Sequence, residues 1–256
     1  MVYCDAHNHI QNCSDLIILD SQEYKACSCA LSVKEWEKLH TQISLAKIYK
    51  GFGVHPQIAQ QLNNRIGSNS QIANLLQFEE NLLQNNELDV IGEIGFDLYS
   101  KDLKSTQKQQ EEIWYEQLEF AQKYQKAIVV HCRKAMHLLF KDVKILKKVP
   151  AVVMHSFSGS LIEAHSILSK RINAYFSCGK QILNNNKHAI ECARSIELER
   201  LLLETDAPYQ SLYGEKFTSL DDIFYVYKKA AMLRNMDLDL FSKQIYTNFT
   251  KCFEVL

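Results

Sequence analysis

The chain has 256 residues, 46% of them apolar and 23% charged, which excludes a disordered or fibrous polymer. Lys and Arg number 29 against 30 Asp and Glu, so the formal net charge is −1. Proteins that coat nucleic acid along its length are usually basic, so any such contact here must be local. Eight cysteines, at 4, 13, 27, 29, 132, 178, 192 and 252, are too few for a disulfide scaffold and form no CxxC pair. They read as reduced, mostly buried thiols. No basic-then-apolar leader opens the chain, and no apolar run approaches about 18 residues. A cytoplasmic protein without membrane attachment is expected, folded as one domain over residues 1–256.

The first strand is predicted at Val2–Asp5 and runs out into His7-Asn8-His9. A second strand, Ala26–Leu31, precedes a helix over Val33–Leu45. The third, Ile48–Val54, leads into His55-Pro56 and an irregular loop over Asn63–Ser70. A helix over Gln71–Leu83 precedes the fourth strand, Val90–Ile94, with Glu93 at its end. The clearest helix covers Ser105–Tyr124, where Ile113, Trp114, Leu118 and Ala121 form an apolar stripe at helical spacing. Strands Ala127–His131 and Ala151–His155 flank a helix over Lys134–Lys147. There follow a helix over Ile162–Ser169, strand Ala174–Ser177, a helix over Lys187–Ser195 and strand Leu201–Glu204. After an irregular loop over Tyr209–Ser219, helices over Asp221–Met232 and Leu238–Phe253 close the chain. The strand runs are mostly continuous rather than alternating, as parallel strands covered on both faces are. Eight strands alternating with helices predict an α/β fold, a (β/α)8 TIM barrel. No GxGxxG or GxxxxGK[ST] follows a strand to support a doubly wound nucleotide-binding sheet.

In such a barrel the C-terminal strand ends converge on one face, where active sites sit. The sequence puts His7, His9, Glu93, His131, His155 and Asp206 there. Residues i and i+2 of a strand share a face, so His7 and His9 are expected to form a chelating pair. Any one of the six alone is an ordinary hydrogen-bonded side chain. Together at one barrel mouth they imply a metal centre, because buried carboxylates there need a cation. His40, His137, His165 and His188 fall in helices and read as surface or packing residues. Trp36 and Trp114 read as helix-face core, and Lys101, Lys104 and Lys180 as solvated lysines after strand ends.

The runs Asp5-Ala6-His7-Asn8-His9, Gly53-Val54-His55-Pro56 and Ile91-Gly92-Glu93-Ile94-Gly95-Phe96-Asp97 resemble the TatD family of metal-dependent deoxyribonucleases, within the amidohydrolase superfamily. His131-Cys132-Arg133, His155-Ser156-Phe157-Ser158-Gly159 and Glu204-Thr205-Asp206-Ala207-Pro208 continue the resemblance in order. Gln110, Trp114, Gln117, Leu118, Ala121, Asn248 and Phe253 also fall on family positions. The resemblance implies a hydrolase that cleaves phosphodiester bonds and trims DNA ends as an exonuclease. It implies two divalent metal ions, with zinc, manganese and magnesium all admissible. His7, His9 and Asp206 would hold one, His131 and His155 the other, with Glu93 bridging. Asp206 would be the catalytic base, and His55 and Arg133 would face substrate, His55 alternatively orienting a ligand. Asp5 and Asp97 would brace ligands or loops.

An amide or lactone hydrolase acting on a small metabolite is the alternative, because activated water attacks carbonyls as well. A non-catalytic metal-binding barrel is a third reading, which the retained Asp206 opposes. Three positions depart from the family pattern. Lys134 stands where an acidic residue is common, and Ala127 where Pro is usual. The stretch Tyr209–Lys216 contains no Arg where the family has an Arg-rich loop. That loop borders the site and bears on substrate choice.

Overall fold

The computed structural model describes residues 1–13, 23–42, 47–62 and 67–254. Eight strands form one parallel sheet in chain order: β1 (Tyr3–Asn8), β2 (Tyr24–Ala30), β3 (Lys47–Phe52), β4 (Val90–Asp97), β5 (Ala127–Arg133), β6 (Val152–Met154), β7 (Ala174–Cys178) and β8 (Leu201–Leu203). The sheet curls into the predicted, nearly closed barrel. Just beyond β8, the Asp206 N–H donates to His7 O at 3.0 Å and the His9 N–H to Ala207 O at 2.7 Å. Asp5 seals the same seam. Its carboxylate accepts from the Thr205 N–H at 2.9 Å and the Thr205 hydroxyl at 2.6 Å.

Side-chain alternation divides the apolar residues into two layers. Cys4, Ala6, Cys27, Cys29, Val90, Val129, Val153 and Leu202 belong to the cluster inside the barrel. Ile91, Ile128, Val130, Val152, Leu201 and Leu203 pack with the surrounding helices. Phe249, Cys252 and Phe253, from the last helix of the chain (Leu238–Phe253), join the inner cluster, Phe253 stacking on Tyr49. They fill the end of the barrel opposite the strand C-termini.

The helices are α1 (Val33–Gln42), α2 (Gln57–Gln61), α3 (Ser68–Gln84), α4 (Lys101–Ser105), α5 (Gln107–Lys123), α6 (Met136–Leu139), α7 (Val143–Leu146), α8 (Leu161–Ser169), α9 (Lys187–Ser195), α10 (Asp222–Leu233) and α11 (Leu238–Phe253). Ile113, Trp114, Leu118 and Ala121 of α5 are buried as their spacing predicts, each large one worth about 1.5–3 kcal/mol. The predicted 105–124 helix is preceded by α4, which Ser100 caps by accepting from the Leu103 N–H. The predicted 134–147 helix is broken into α6, a 3-10 turn at Phe140–Asp142, and α7. That turn delivers the Asp142 carboxylate to Trp114 Nε1 at 2.9 Å and the Tyr115 hydroxyl at 3.0 Å. The short α2, absent from the sequence reading, starts behind Pro56, where a missing N–H costs nothing. Of the helix predicted to Leu45, residues 43–45 lie outside the described residues, as do 63–66 of the predicted loop. Ser68–Ser70 of that loop already belong to α3. Among the described residues, no helix is long and apolar enough to cross a membrane.

Candidate active site

His131 stands two residues beyond the inward-facing Val129, and His155 two beyond Val153. The pleat therefore carries both rings into the barrel mouth. β1 behaves differently. Cys4 and Ala6 face inward, so plain alternation would turn His7 out, but the register shifts between Asp5 and Asn8. His9 lies past the strand, at the start of a 3-10 turn over Ile10–Asn12. The expected i, i+2 pairing on one strand face is thus corrected: an irregularity and a turn bring the rings to a centroid distance of 4.8 Å. Glu93 also does not end its strand. β4 continues to Asp97, and its pairing with β5 shifts between Ile91 and Ile94, around Glu93. Gly92 and Gly95 permit the close approach: a Cβ on Gly92 would lie 2.7 Å from Val129 Cβ, and one on Gly95 (φ +130°) would collide with the His131 carbonyl oxygen.

The structure brings all six strand-end residues together around the Glu93 carboxylate. Glu93 Oε2 lies 3.4 Å from His7 Nε2 and 3.7 Å from His9 Nε2. Asp206 Oδ1 lies 3.4 Å and 3.5 Å from the same two nitrogens. Glu93 Oε1 faces the other way, 2.6 Å from His131 Nδ1, 3.3 Å from His155 Nε2 and 3.4 Å from His55 Nε2. Three sets of side chains stand close enough to share an ion: His7–His9–Asp206, His7–Glu93–His155 and His55–Glu93–His131. His55, expected to face substrate, therefore stands in the carboxylate cluster itself.

The two carboxylates are held ionised and His9 presents a lone pair, as a cation site requires. Burial favours the neutral form of Glu93, yet His155, His55 and His131 hold its carboxyl well below the usual range. Asp206 is likewise held low, by His155, His7 and His9 against its burial. His131 is raised to about 9, the attraction of Glu93 and Asp97 outweighing burial. For His55 burial wins over Glu93, and its pKa is lowered. His9 Nδ1 lies 2.7 Å from the Cys29 carbonyl oxygen, an acceptor only, so Nδ1 carries the proton and Nε2 presents a lone pair to the cluster. Both nitrogens of the buried His7 lack a hydrogen-bond partner. Imidazole nitrogens and carboxylate oxygens in this number suit zinc, manganese or iron.

Around this cluster lies a cleft of about 840 Å³, bordered by Arg133, Lys134, Tyr99, Gln57, Gln181 and Tyr209 among others. Asp97 accepts from Gln57 Nε2 at 2.8 Å and lies 3.2 Å from His131 Nε2 and 3.7 Å from Arg133 Nη1. Arg133 stands half-exposed at the rim rather than in the cluster. Asp5 touches Asn8, Tyr24 and Thr205, so it fastens the β1–β8 seam instead of bracing a histidine ring. Sequence reasoning missed Glu204, buried with Oε1 3.0 Å from His155 Nδ1. Its signal was alternation, two residues past the inward Leu202. Lys180 corrects the solvated reading: it is 1% exposed, and its Nζ donates to Glu215 Oε2 at 2.5 Å and Asp222 Oδ2 at 2.6 Å. Partners 35 and 42 positions away leave no local trace. Lys101 and Lys104 are exposed as expected, as are His40, His137, His165 and His188.

Residues 4–254 match the model of the TatD related DNase family. The chain is 27% identical over 274 aligned positions to an uncharacterized metal-dependent hydrolase of Buchnera aphidicola subsp. Acyrthosiphon pisum, covering 100% of both. It is 33% identical over 176 positions to the 3′-5′ ssDNA/RNA exonuclease TatD of Edwardsiella piscicida, covering 65% of this chain and 62% of that one. The crystal structure of the TatD homologue YJJV from Escherichia coli K12 has the same fold, with a TM-score of 0.80, 23% identity and coverage of 99% and 98%. The family match runs through every member of the histidine–carboxylate cluster, from His7 to Asp206. The chain belongs to the TatD-related DNase family and is a metal-dependent hydrolase.

Proposed function

We propose that the chain hydrolyses phosphodiester bonds at the ends of single-stranded nucleic acid, DNA foremost, releasing nucleotides as an exonuclease. The observation that carries this reading is the division of Glu93 between two groups of ligands. Oε2 faces His7 and His9, whose Nε2 atoms also face Asp206, while Oε1 faces His131, His155 and His55. That arrangement fits two cations, one held by His7, His9 and Asp206, the other by His131 and His155, with Glu93 shared. Divalent ions so bound would activate water and neutralise charge on the phosphodiester oxygens. Asp206, held ionised, accepts the proton of the attacking water. Arg133 presents a planar fork to a non-bridging phosphate oxygen, and Asp97 steadies it. His55 steadies Glu93 and His131 at the floor of the cleft. The Edwardsiella relative, by its name an ssDNA/RNA exonuclease, supports the substrate class.

Protein reconstituted with Zn²⁺ or Mn²⁺ and given end-labelled oligonucleotides, beside a panel of amides and lactones, tests the reading. Release of mononucleotides is expected, with close to two ions per chain by elemental analysis. Turnover of the carbonyl panel without nucleotide release would overturn it. Glu93→Gln is expected to lower the affinity for both ions, and loss of only one would remove its bridging role.

A further inference from the structure

The walls of the cleft differ in charge. On the β2 side the cleft is bordered by Glu35, whose Oε2 accepts from the Leu31 N–H. On the β6–β8 side it is bordered by neutral groups. Gln210 Nε2 donates to Ser156 Oγ at 2.7 Å, and Gln181 Nε2 donates to the same oxygen. Lys180 beneath this wall is buried between Glu215 and Asp222 and offers no free charge. Among the described residues lining the cleft, Arg133 and Lys134 are the only Lys or Arg, at the last residue of β5 and the one after it.

These two cations are held by a ring. The Arg133 guanidinium carbon lies 4.3 Å from the centre of the Tyr99 ring, and Lys134 Nζ lies 4.6 Å from it. Tyr99 is itself 55% exposed, and its backbone N–H donates to Asp97 Oδ1, which fixes the chain beneath the ring. Lys134 has no carboxylate partner among the described residues, and Arg133 touches Asp97 only through Nη1 at 3.7 Å while its side chain is half-exposed, so both cations can still meet an incoming anion. Lys134 adopts φ +54°, a left-handed conformation, just as β5 ends, with its Nζ against the Tyr99 ring.

We infer that Tyr99, Arg133 and Lys134 form the exit subsite for the retained strand, binding the phosphodiester one linkage inward from the one being cut. The terminal nucleoside then occupies the neutral wall of Ser156, Gln181 and Gln210. Electrostatics sets this direction: a polyanion leaving over Glu35 would be repelled, and over the glutamine wall it would meet no cation. The inference rests on the phosphodiesterase reading for its substrate class, but its binding test needs no turnover.

Two trinucleotides, fluorescently labelled at the end remote from the scissile linkage, serve as probes. Both carry a phosphodiester at the scissile position, and they differ only at the inner linkage, charged in one and an uncharged methylphosphonate in the other. Affinity for the metal-loaded protein is read by fluorescence anisotropy over a range of salt. Wild type is expected to prefer the charged probe about tenfold. Lys134→Gln and Arg133→Gln are each expected to lose most of that preference and to flatten the log–log salt slope by about 0.7, the single-strand value per phosphate contact. Tyr99→Leu removes no charge, yet it is expected to erode the preference too, because both cations lose their seat. Equal binding of the probes by wild type, or an undiminished preference in both charge variants, would overturn the inference. Preferential binding without cleavage of either probe would instead reject the phosphodiesterase reading and leave the subsite standing.

Discussion

Asp206 adopts φ +58°, a conformation that Asp and Asn tolerate better than most residues. Two backbone hydrogen bonds hold it, from the Asp206 N–H to His7 O at 3.0 Å and from the Tyr209 N–H to Asp206 O at 2.7 Å. This turn swings the carboxylate towards His7 and His9 and seats the Tyr209 ring 5.0 Å from His9. Asp206→Asn keeps the size and the backbone tolerance and removes the basic oxygen. Turnover is therefore expected to fall about 10²–10⁴-fold, the usual share of a general base. Single-turnover cleavage, with bound metal quantified in the same preparation, checks this. A near-normal rate at full metal content would exclude Asp206 as the base.

Helix α5 organises the two strand ends beside the site. The β3–β4 ladder stops at Phe52 and Ile91, which would leave the buried Val54 backbone unpaired. Gln117 replaces the missing strand: Oε1 accepts from the Val54 N–H at 2.7 Å and Nε2 donates to Val54 O at 3.2 Å. Gln110 does the same for Asp97, at 2.9 Å and 3.1 Å. Towards α3, by contrast, polar groups are left unpaired. Glu79 is fully buried with neither carboxylate oxygen bonded, and burial, with the Glu116 charge adding to it, pushes its pKa well above the ordinary range. The sign follows from linkage. A carboxyl that ionises near roughly 4.3 when unfolded but higher when folded costs stability as pH rises between the two values. Glu79→Met is expected to stabilise the protein by about 1–3 kcal/mol at pH 8, with the gain shrinking as pH falls towards 4. Urea denaturation of both proteins at pH 5 and pH 8 measures it. A gain independent of pH would show that Glu79 does not titrate in this range.

Across the molecule, charge and sulfur are distributed by the barrel. A net charge of −1 leaves no general attraction for polyanions, so under the proposed function a strand end is captured at the mouth, where carboxylates, histidines and two rim cations meet. The eight free thiols separate by layer. Cys4, Cys27, Cys29, Cys178, Cys192 and Cys252 are buried, whereas Cys13 and Cys132 are partly accessible. Burial pushes the Cys4, Cys13 and Cys132 thiols up to about 12, which leaves little thiolate near neutrality. Titration of native protein with a chromogenic disulfide is expected to find no more than two thiols reacting, slowly, and all eight after unfolding. Rapid reaction of more than two would show that the barrel interior opens readily.

The barrel itself, and four members of its site, could be read from local pattern. Continuous apolar runs between amphipathic helices specify parallel strands, and the alternation of regular strands β5 and β6 places His131 and His155. Asp206 and Glu93 were legible as strand-end carboxylates, although Glu93 lies within its strand. The same alternation would have turned His7 away from the site, and the register shift that corrects it arises only where β1 meets β2 and closes on the segment after β8. Asp5 finds Thr205 200 positions away, and Lys180 finds Asp222 42 positions away. Periodicity is a property of neighbours along the chain, and it fixes which face a side chain takes in a regular element. Closure of the barrel is a property of strands brought together from both ends of the chain. It decided the irregularities, the seam and the partners of the buried charges, and so gathered His55, Glu93 and the other histidines into one cluster.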